Sequence, residues 1–173
     1  MMSLRDICAS FADCLCERLA VRLVGRPRVA SAIAFALLRE NVVFGDRSRV
    51  TIAPTARINN ALLNVSSGRI VIEDDVIFGH NVSLLTGSHA TEARGSARSM
   101  AIPTGGRDIV VRAGAWIASN ATIIGPAVIG EHAVVAAGAV VLGNVEPEVV
   151  VAGVPARPVR GIDEMHSDGA KTT

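Results

Sequence analysis

The 173-residue chain has no tyrosine, one tryptophan and four phenylalanines, so that aromatic residues make up only 3% of a sequence that is 50% hydrophobic. An interior built without rings has to be filled by aliphatic side chains and alanine, which suits a narrow β-helix better than a sandwich. Charge of one sign is missing as well: the net charge is +1, which argues against nucleic acid as the main partner. No apolar run approaches the roughly 20 residues of a membrane span. Acidic residues interrupt the apolar stretch near Met1 before it reaches the length of a signal-peptide core. The three cysteines, Cys8, Cys14 and Cys16, are odd in number and lack C-x-x-C spacing. They argue against a disulfide framework or a zinc site and predict a reduced, cytoplasmic setting.

What is abundant is aliphatic residues at a fixed interval. Val111, Ile117, Ile123, Ile129, Val135 and Val141 recur at every sixth position, and the first five are each followed four residues later by alanine: Ala115, Ala121, Ala127, Ala133 and Ala139. A period of six fits neither the 3.6 of a helix nor a simple alternating strand, and it is the mark of a solenoid of short β-coils. Each hexad is read as a strand and a tight corner, with the large aliphatic and the small residue both inward and three hexads closing one triangular coil. A single repeat cannot bury its own apolar face, so stability is expected to pass from neighbour to neighbour.

The same phase appears at Ile72, Phe78 and Leu84, with Val76, Val82 and Ser88 in the small inward position, and more weakly at Ile52 and Ile58. The step from Ile58 to Ile72 is longer than two hexads, which predicts a bulge near Asn64 to Gly68. The interval from Leu84 to Val111 is not a multiple of six, so the coil is expected to be interrupted after His89 by a polar loop over 90–110. Long loops in compact repeats are usually functional. Residues 1–40 follow a helical pattern instead, with Leu4, Ile7, Phe11, Leu15 and Leu19 at three- and four-residue steps. The expected organisation is a helical segment over 1–40, a β-helix over 41–162 and a flexible tail over 163–173. Arg5, Arg18 and Arg22, with Asp6 and Glu17, line the polar side of this pattern, which leaves weak contact with a membrane surface as a lesser expectation.

The run Ile72 to Leu84 (IEDDVIFGHNVSL), then Gly87-Ser88-His89, the loop, Ala115 to Ser119 (AWIAS) and Val151 to Arg157 (VAGVPAR) together resemble the hexapeptide-repeat acyltransferases. They are most similar to the galactoside and maltose O-acetyltransferases and the polysaccharide acetyltransferases related to them. The resemblance covers about residues 50 to 162. It implies a left-handed parallel β-helix, a homotrimer, and acetyl-CoA as acyl donor in a groove between neighbouring prisms, with a saccharide as acceptor.

The resemblance implies His89 as the catalytic base. An imidazole with an ordinary pKa near 6.5 retains enough neutral form at physiological pH to take a proton from an attacking hydroxyl. Asn59 matches an acceptor-pocket asparagine, although Asn60 or Asn64 can fill that role, and all three equally suit turns or a corner ladder. Trp116, Ser119 and Ala137 match positions along the coenzyme groove. Arg157 and Arg160 match cations aimed at the nucleotide phosphates. Where many relatives carry Thr-Lys after the last coil this chain has Leu142-Gly143, which puts coenzyme affinity in question. The loop arginines Arg94, Arg98 and Arg107 either meet an anionic acceptor or solubilise the loop. His80 and His132 are read as solvated corner residues, His166 as part of the tail, and no metal is expected, since the histidine spacing does not suit a three-imidazole zinc site.

Two other readings compete. One is a non-catalytic trimeric scaffold of the same fold, favoured by Leu142-Gly143. The other is N-acetylation of an amino sugar. Serine as acceptor is disfavoured, because the serine-specific relatives carry a large N-terminal helical domain.

Overall fold

The computed structural model describes residues 40–163, and all of these from Asn41 onward belong to one compact unit. The helical pattern expected over residues 1–40 and the expected tail therefore fall almost wholly outside the described residues.

Three sheets form the solenoid. The first contains β1 (Val42–Phe44), β3 (Leu62–Asn64), β6 (Ser83–Leu85), β9 (Thr122–Ile124) and β12 (Val140–Val141), in that spatial order. The second runs from β2 (Val50–Ile52) through β4 (Ile70–Ile72) and β7 (Ile109–Val111) to β10 (Ala127–Ile129). The third holds β5 (Ile77–Phe78), β8 (Trp116–Ile117), β11 (Val134–Val135), β13 (Val149–Ala152) and β14 (Arg157–Gly161). Every pairing is parallel except that of β13 with β14. Because consecutive strands pass from sheet to sheet, each turn of chain visits three walls and the cross-section is a triangle.

Register turns the six-residue interval into columns. Ile117 lies between Phe78 and Val135, Ile123 between Leu84 and Val141, and Ile129 beside Val111. All of these are buried, as are Ala115, Ala121, Ala127, Ala133 and Ala139. Alanine recurs there because the inward residue next to a corner faces converging walls, where a larger side chain would overpack.

Corners need backbone that L-residues seldom adopt. One column of corners uses Asn60, Asn81 and Asn120 at φ of 29°, 57° and 61°, continued by Gly138 at 70°. Asparagine tolerates this region because its short amide bonds locally. Here the amides also bond to one another, Asn60 Nδ2 donating to Asn81 Oδ1 and Asn81 Nδ2 to Asn120 Oδ1. Asn60 thus belongs to the ladder. A second column places Asp75, Gly114, His132 and Glu148 in the same conformation. The His132 ring lies over Gly114, where any Cβ would collide with it, and both His80 and His132 are exposed.

Two details depart from the strict interval. Leu63, not Asn64, pairs with Leu84, so the first coil is a residue short at Asn59–Ala61 and makes up the length at Val65–Gly68, the stretch where the bulge is predicted. Ser88 does not hold an inward position. Ile109, fully buried and in register with Ile70 and Ala127, takes it, because the chain has already left the coil beyond Leu85.

Candidate functional site

The excursion leaves the first sheet after β6 and returns in the second at β7. Its C-terminal limit is residue 108 rather than 110, since Ile109 and Val110 are already in β7. The loop also has structure of its own, helix α1 (Gly95–Met100).

Glycine fixes where it leaves and returns. A Cβ on Gly87 would stand 2.7 Å from Asn64 Oδ1, and one on Gly68 2.6 Å from the Arg107 carbonyl carbon. A Cβ on Gly125 would collide with the Arg107 carbonyl oxygen. The backbone at Arg107 is thus threaded between two glycines of the prism. Arg107 Nε donates to the Thr86 carbonyl at 2.8 Å, and Asp108 Oδ1 accepts from the Arg69 N–H at 2.8 Å. Gly125→Ala is expected to push the return leg outward, costing about 1–3 kcal/mol as overpacking does and lowering any activity that depends on the loop. Chemical denaturation alongside turnover checks both; unchanged stability would mean that the leg yields freely.

His89 stands exposed at the start of this loop. Its Nδ1 is 3.0 Å from the carbonyl oxygen of Arg98. A carbonyl only accepts, so Nδ1 is the donor in this contact, and in the neutral ring the lone pair then lies on Nε2, the arrangement that a general base requires. Asn64 lies at the same corner against Gly87. Its Oδ1 accepts from the Ser66 N–H at 3.0 Å, and its main-chain carbonyl accepts from both the N–H and the hydroxyl of buried Thr86.

The remaining candidates gather elsewhere. Asn59 sits at the corner between the third and first sheets and donates to the Phe78 carbonyl at 3.0 Å. Ser119 is at that corner, its hydroxyl accepting from the His80 N–H at 3.0 Å, and Gly138 N–H, next to exposed Ala137, donates to the Ser119 carbonyl. Trp116 projects from the outer face of the third sheet, 50% exposed, in register between Ile77 and Val134. In a triangular section the third sheet is the wall opposite the corner from which His89 emerges. A single chain therefore brings Asn64 and His89 together, and separately Asn59, Ser119 and Ala137, with Trp116 on the adjoining wall, but does not join the two groups.

At the C-terminal end, Arg157 is exposed and donates to the Ala156 carbonyl. Arg160, opposite Val150, has a buried Nη1 with no hydrogen-bond partner. Leu142, 63% exposed, lines a cavity of about 250 Å³ with Gly143, Arg157 and Pro158. A larger cavity of about 530 Å³, bordered by the Arg112–Glu73 ion pair at 2.6 Å, lies away from His89. A third, of about 380 Å³, is polar and flanks the loop's return leg with Arg49, Arg69 and Asp108. At its rim the N–H and hydroxyl of Ser48 hold the Asp46 carboxyl below its ordinary range.

Two of the loop arginines, both exposed, bond to carbonyls of the loop itself. Arg94 donates to the carbonyls of Glu92 and Ala93, and Arg98 to those of Ala93 and Thr91. Among the described residues no three His, Cys, Asp or Glu side chains gather as a metal site, and no helix is long and apolar enough to cross a membrane. Sequence reasoning missed the Arg98 carbonyl, since a main-chain oxygen leaves no mark in a sequence.

A three-walled parallel solenoid with a histidine-bearing loop at one corner is the architecture of a class. The chain belongs to the hexapeptide-repeat transferase family, and residues 108–143 match its model, bacterial transferase hexapeptide (six repeats). Galactoside O-acetyltransferase of Escherichia coli (strain K12) is 30% identical over 138 residues, covering 75% of this chain and 66% of that protein. Serine acetyltransferase 2 of Arabidopsis thaliana is 35% identical over 126 residues, 73% of this chain and 36% of that one. Among solved structures, the serine acetyltransferase of Brucella abortus strain S19 in complex with coenzyme A superposes with a TM-score of 0.50 at 26% identity, over 70% of this chain and 42% of that chain. The chain thus spans between about a third and two thirds of the length of these relatives.

Proposed function

We propose that the protein is an acetyl-CoA-dependent O-acetyltransferase acting on a hydroxyl of a sugar or polysaccharide precursor, with His89 as general base. The observation that carries this is the hydrogen bond from His89 Nδ1 to the Arg98 carbonyl, which in the neutral ring leaves the Nε2 lone pair free on an exposed side chain. The acceptor hydroxyl gives its proton to Nε2 while its oxygen attacks the thioester carbon. The tetrahedral oxyanion then collapses, the C–S bond breaks, and the imidazolium returns the proton to the departing coenzyme A thiolate. No covalent enzyme intermediate is formed.

The separation of His89 from Trp116, Ser119 and Ala137 within one chain supports assembly as a homotrimer, the neighbour supplying the coenzyme wall; a left-handed prism and a cytoplasmic setting complete the proposal. On that reading Trp116 and the adjacent corner carry the pantetheine arm, and Arg157 and Arg160 carry the phosphates. Asn59 and Asn64 are the acceptor-side amides.

Calorimetric titration with acetyl-CoA is expected to give about one site per chain in the micromolar range usual for substrates, and Trp116→Ala to weaken it about tenfold. Absence of binding at millimolar coenzyme would favour the scaffold reading instead, with Leu142-Gly143 as its mark. The serine acetyltransferases among the relatives favour serine as a second acceptor. A thiol-release screen of saccharides, amino sugars and serine decides between them, and release with serine alone would overturn the saccharide assignment.

A further inference from the structure

Helix α1 should not hold its position by itself. It has six residues, none buried, and no side-chain cap at Arg94, and a helix of that length is marginal in water. Yet one of its carbonyls fixes the imidazole of His89. Something in the loop must therefore tie the helix to the segment that follows the histidine, and the hydrogen bonds identify it. Arg98 Nε donates to the Ala93 carbonyl at 2.8 Å and its second terminal nitrogen to the Thr91 carbonyl at 3.0 Å. The main-chain carbonyl of the same residue accepts from His89 Nδ1 at 3.0 Å. Thr91 and Ala93 belong to the turn directly after His89, closed by the Ala93 N–H donating to the Ala90 carbonyl. A single residue thus grips the turn with its side chain and the base with its backbone. The remaining tie between the two legs is the Ala90 N–H to the Ala101 carbonyl at 2.9 Å, which does not touch the imidazole.

From this geometry we infer that Arg98 is a positioning residue for His89: its guanidinium clamps the 91–93 turn against α1 so that its own carbonyl keeps the proton on Nδ1 and the lone pair on Nε2. The inference rests on the reading of His89 as base. A planar fork with fixed donor directions suits two carbonyls two residues apart, and charge-assisted bonds of this kind are about twice as strong as neutral ones. When the fork is lost, α1 is released, the carbonyl drifts from Nδ1, and the ring is free to turn or to carry its proton on the reacting nitrogen. This role is distinct from meeting an anionic acceptor, because it spends the guanidinium on the loop.

The test uses the full chain with Arg98→Ala, Arg98→Lys, Ser99→Ala and His89→Ala. Arg98→Ala is expected to lower kcat about ten- to a hundredfold, the range in which a misplaced group costs rate, with KM for acetyl-CoA within about twofold of the parent. Arg98→Lys should recover part of the loss, and Ser99→Ala, on the same short helix, should leave turnover unchanged. The decisive reading is the ¹⁵N spectrum of the histidine rings, assigned for His89 by its absence in His89→Ala. The parent should show a protonated Nδ1 and an unprotonated Nε2, and Arg98→Ala a mixture. A native ring spectrum in Arg98→Ala overturns the inference whatever happens to rate, and a loss confined to acceptor KM overturns it in favour of an acceptor contact. Full activity in His89→Ala would instead defeat the underlying reading of His89; the ring spectrum of Arg98→Ala still decides whether Arg98 holds it.

Discussion

Replacing His89 by alanine is expected to reduce acetyl transfer by at least about a hundredfold, the lower range for loss of a general base, while the prism and its oligomeric state remain intact. The imidazole is exposed, and its hydrogen bond in the structure is to a loop carbonyl. No buried contact is lost with it, so folding should not register the change. The hydroxyl of a sugar is a poor nucleophile while it keeps its proton, and water at the same corner is the remaining acceptor for that proton. Coenzyme binding, assigned to a different wall, should be unaffected. Turnover at saturating substrates, with size-exclusion chromatography and calorimetry on the same preparation, checks all three. Undiminished turnover would remove His89 from the mechanism, and lost coenzyme binding would mean that the histidine belongs to the donor site.

The largest expected effect on stability is at Ile117. Its side chain is fully buried between Phe78 and Val135 in the middle of a column. Ile117→Ala is expected to cost about 2–5 kcal/mol, transfer and cavity terms together. The value should fall toward the upper end, because a solenoid is held by contacts between adjacent coils and a cavity in a central coil loosens both interfaces at once. Ile52 occupies the corresponding type of position in the first coil but is 39% exposed. Ile52→Ala should therefore cost well under half as much. Urea denaturation of the two variants compares them directly, and equal losses would show that the columns do not transmit stability as their register implies.

How much of this was readable without coordinates differs from element to element. The columns were legible because burial leaves a periodic trace: Val111 through Val141 and their following alanines are inward in the structure as their spacing predicts. The irregular stretch before Ile72 was legible as a break in phase. The return of the loop was misplaced by two residues because Ile109 and Val110 look like any aliphatic pair until Ile109 is found in register with Ile70 and Ala127. Ser88 was assigned inward for the converse reason, since spacing cannot tell where a chain leaves the coil. Leu63 in place of Asn64 depends on a shortened corner, visible only in strand pairing.

By itself the sequence determined that this protein is a solenoid with one interrupting loop, and which side chains line its interior, because a six-residue alternation of large and small apolar groups can be buried in few other ways. Resemblance of short motifs pointed to His89. Tertiary structure alone decided that His89 and Asn64 share a corner while Trp116 lies on the opposite wall, that Arg94 and Arg98 bond to carbonyls of their own loop and Arg107 to that of Thr86, and that the imidazole meets a carbonyl of α1. Those facts follow from strand register, glycine contacts and main-chain hydrogen bonds between residues distant in the chain, and such interactions carry no signature in the identity of any one residue.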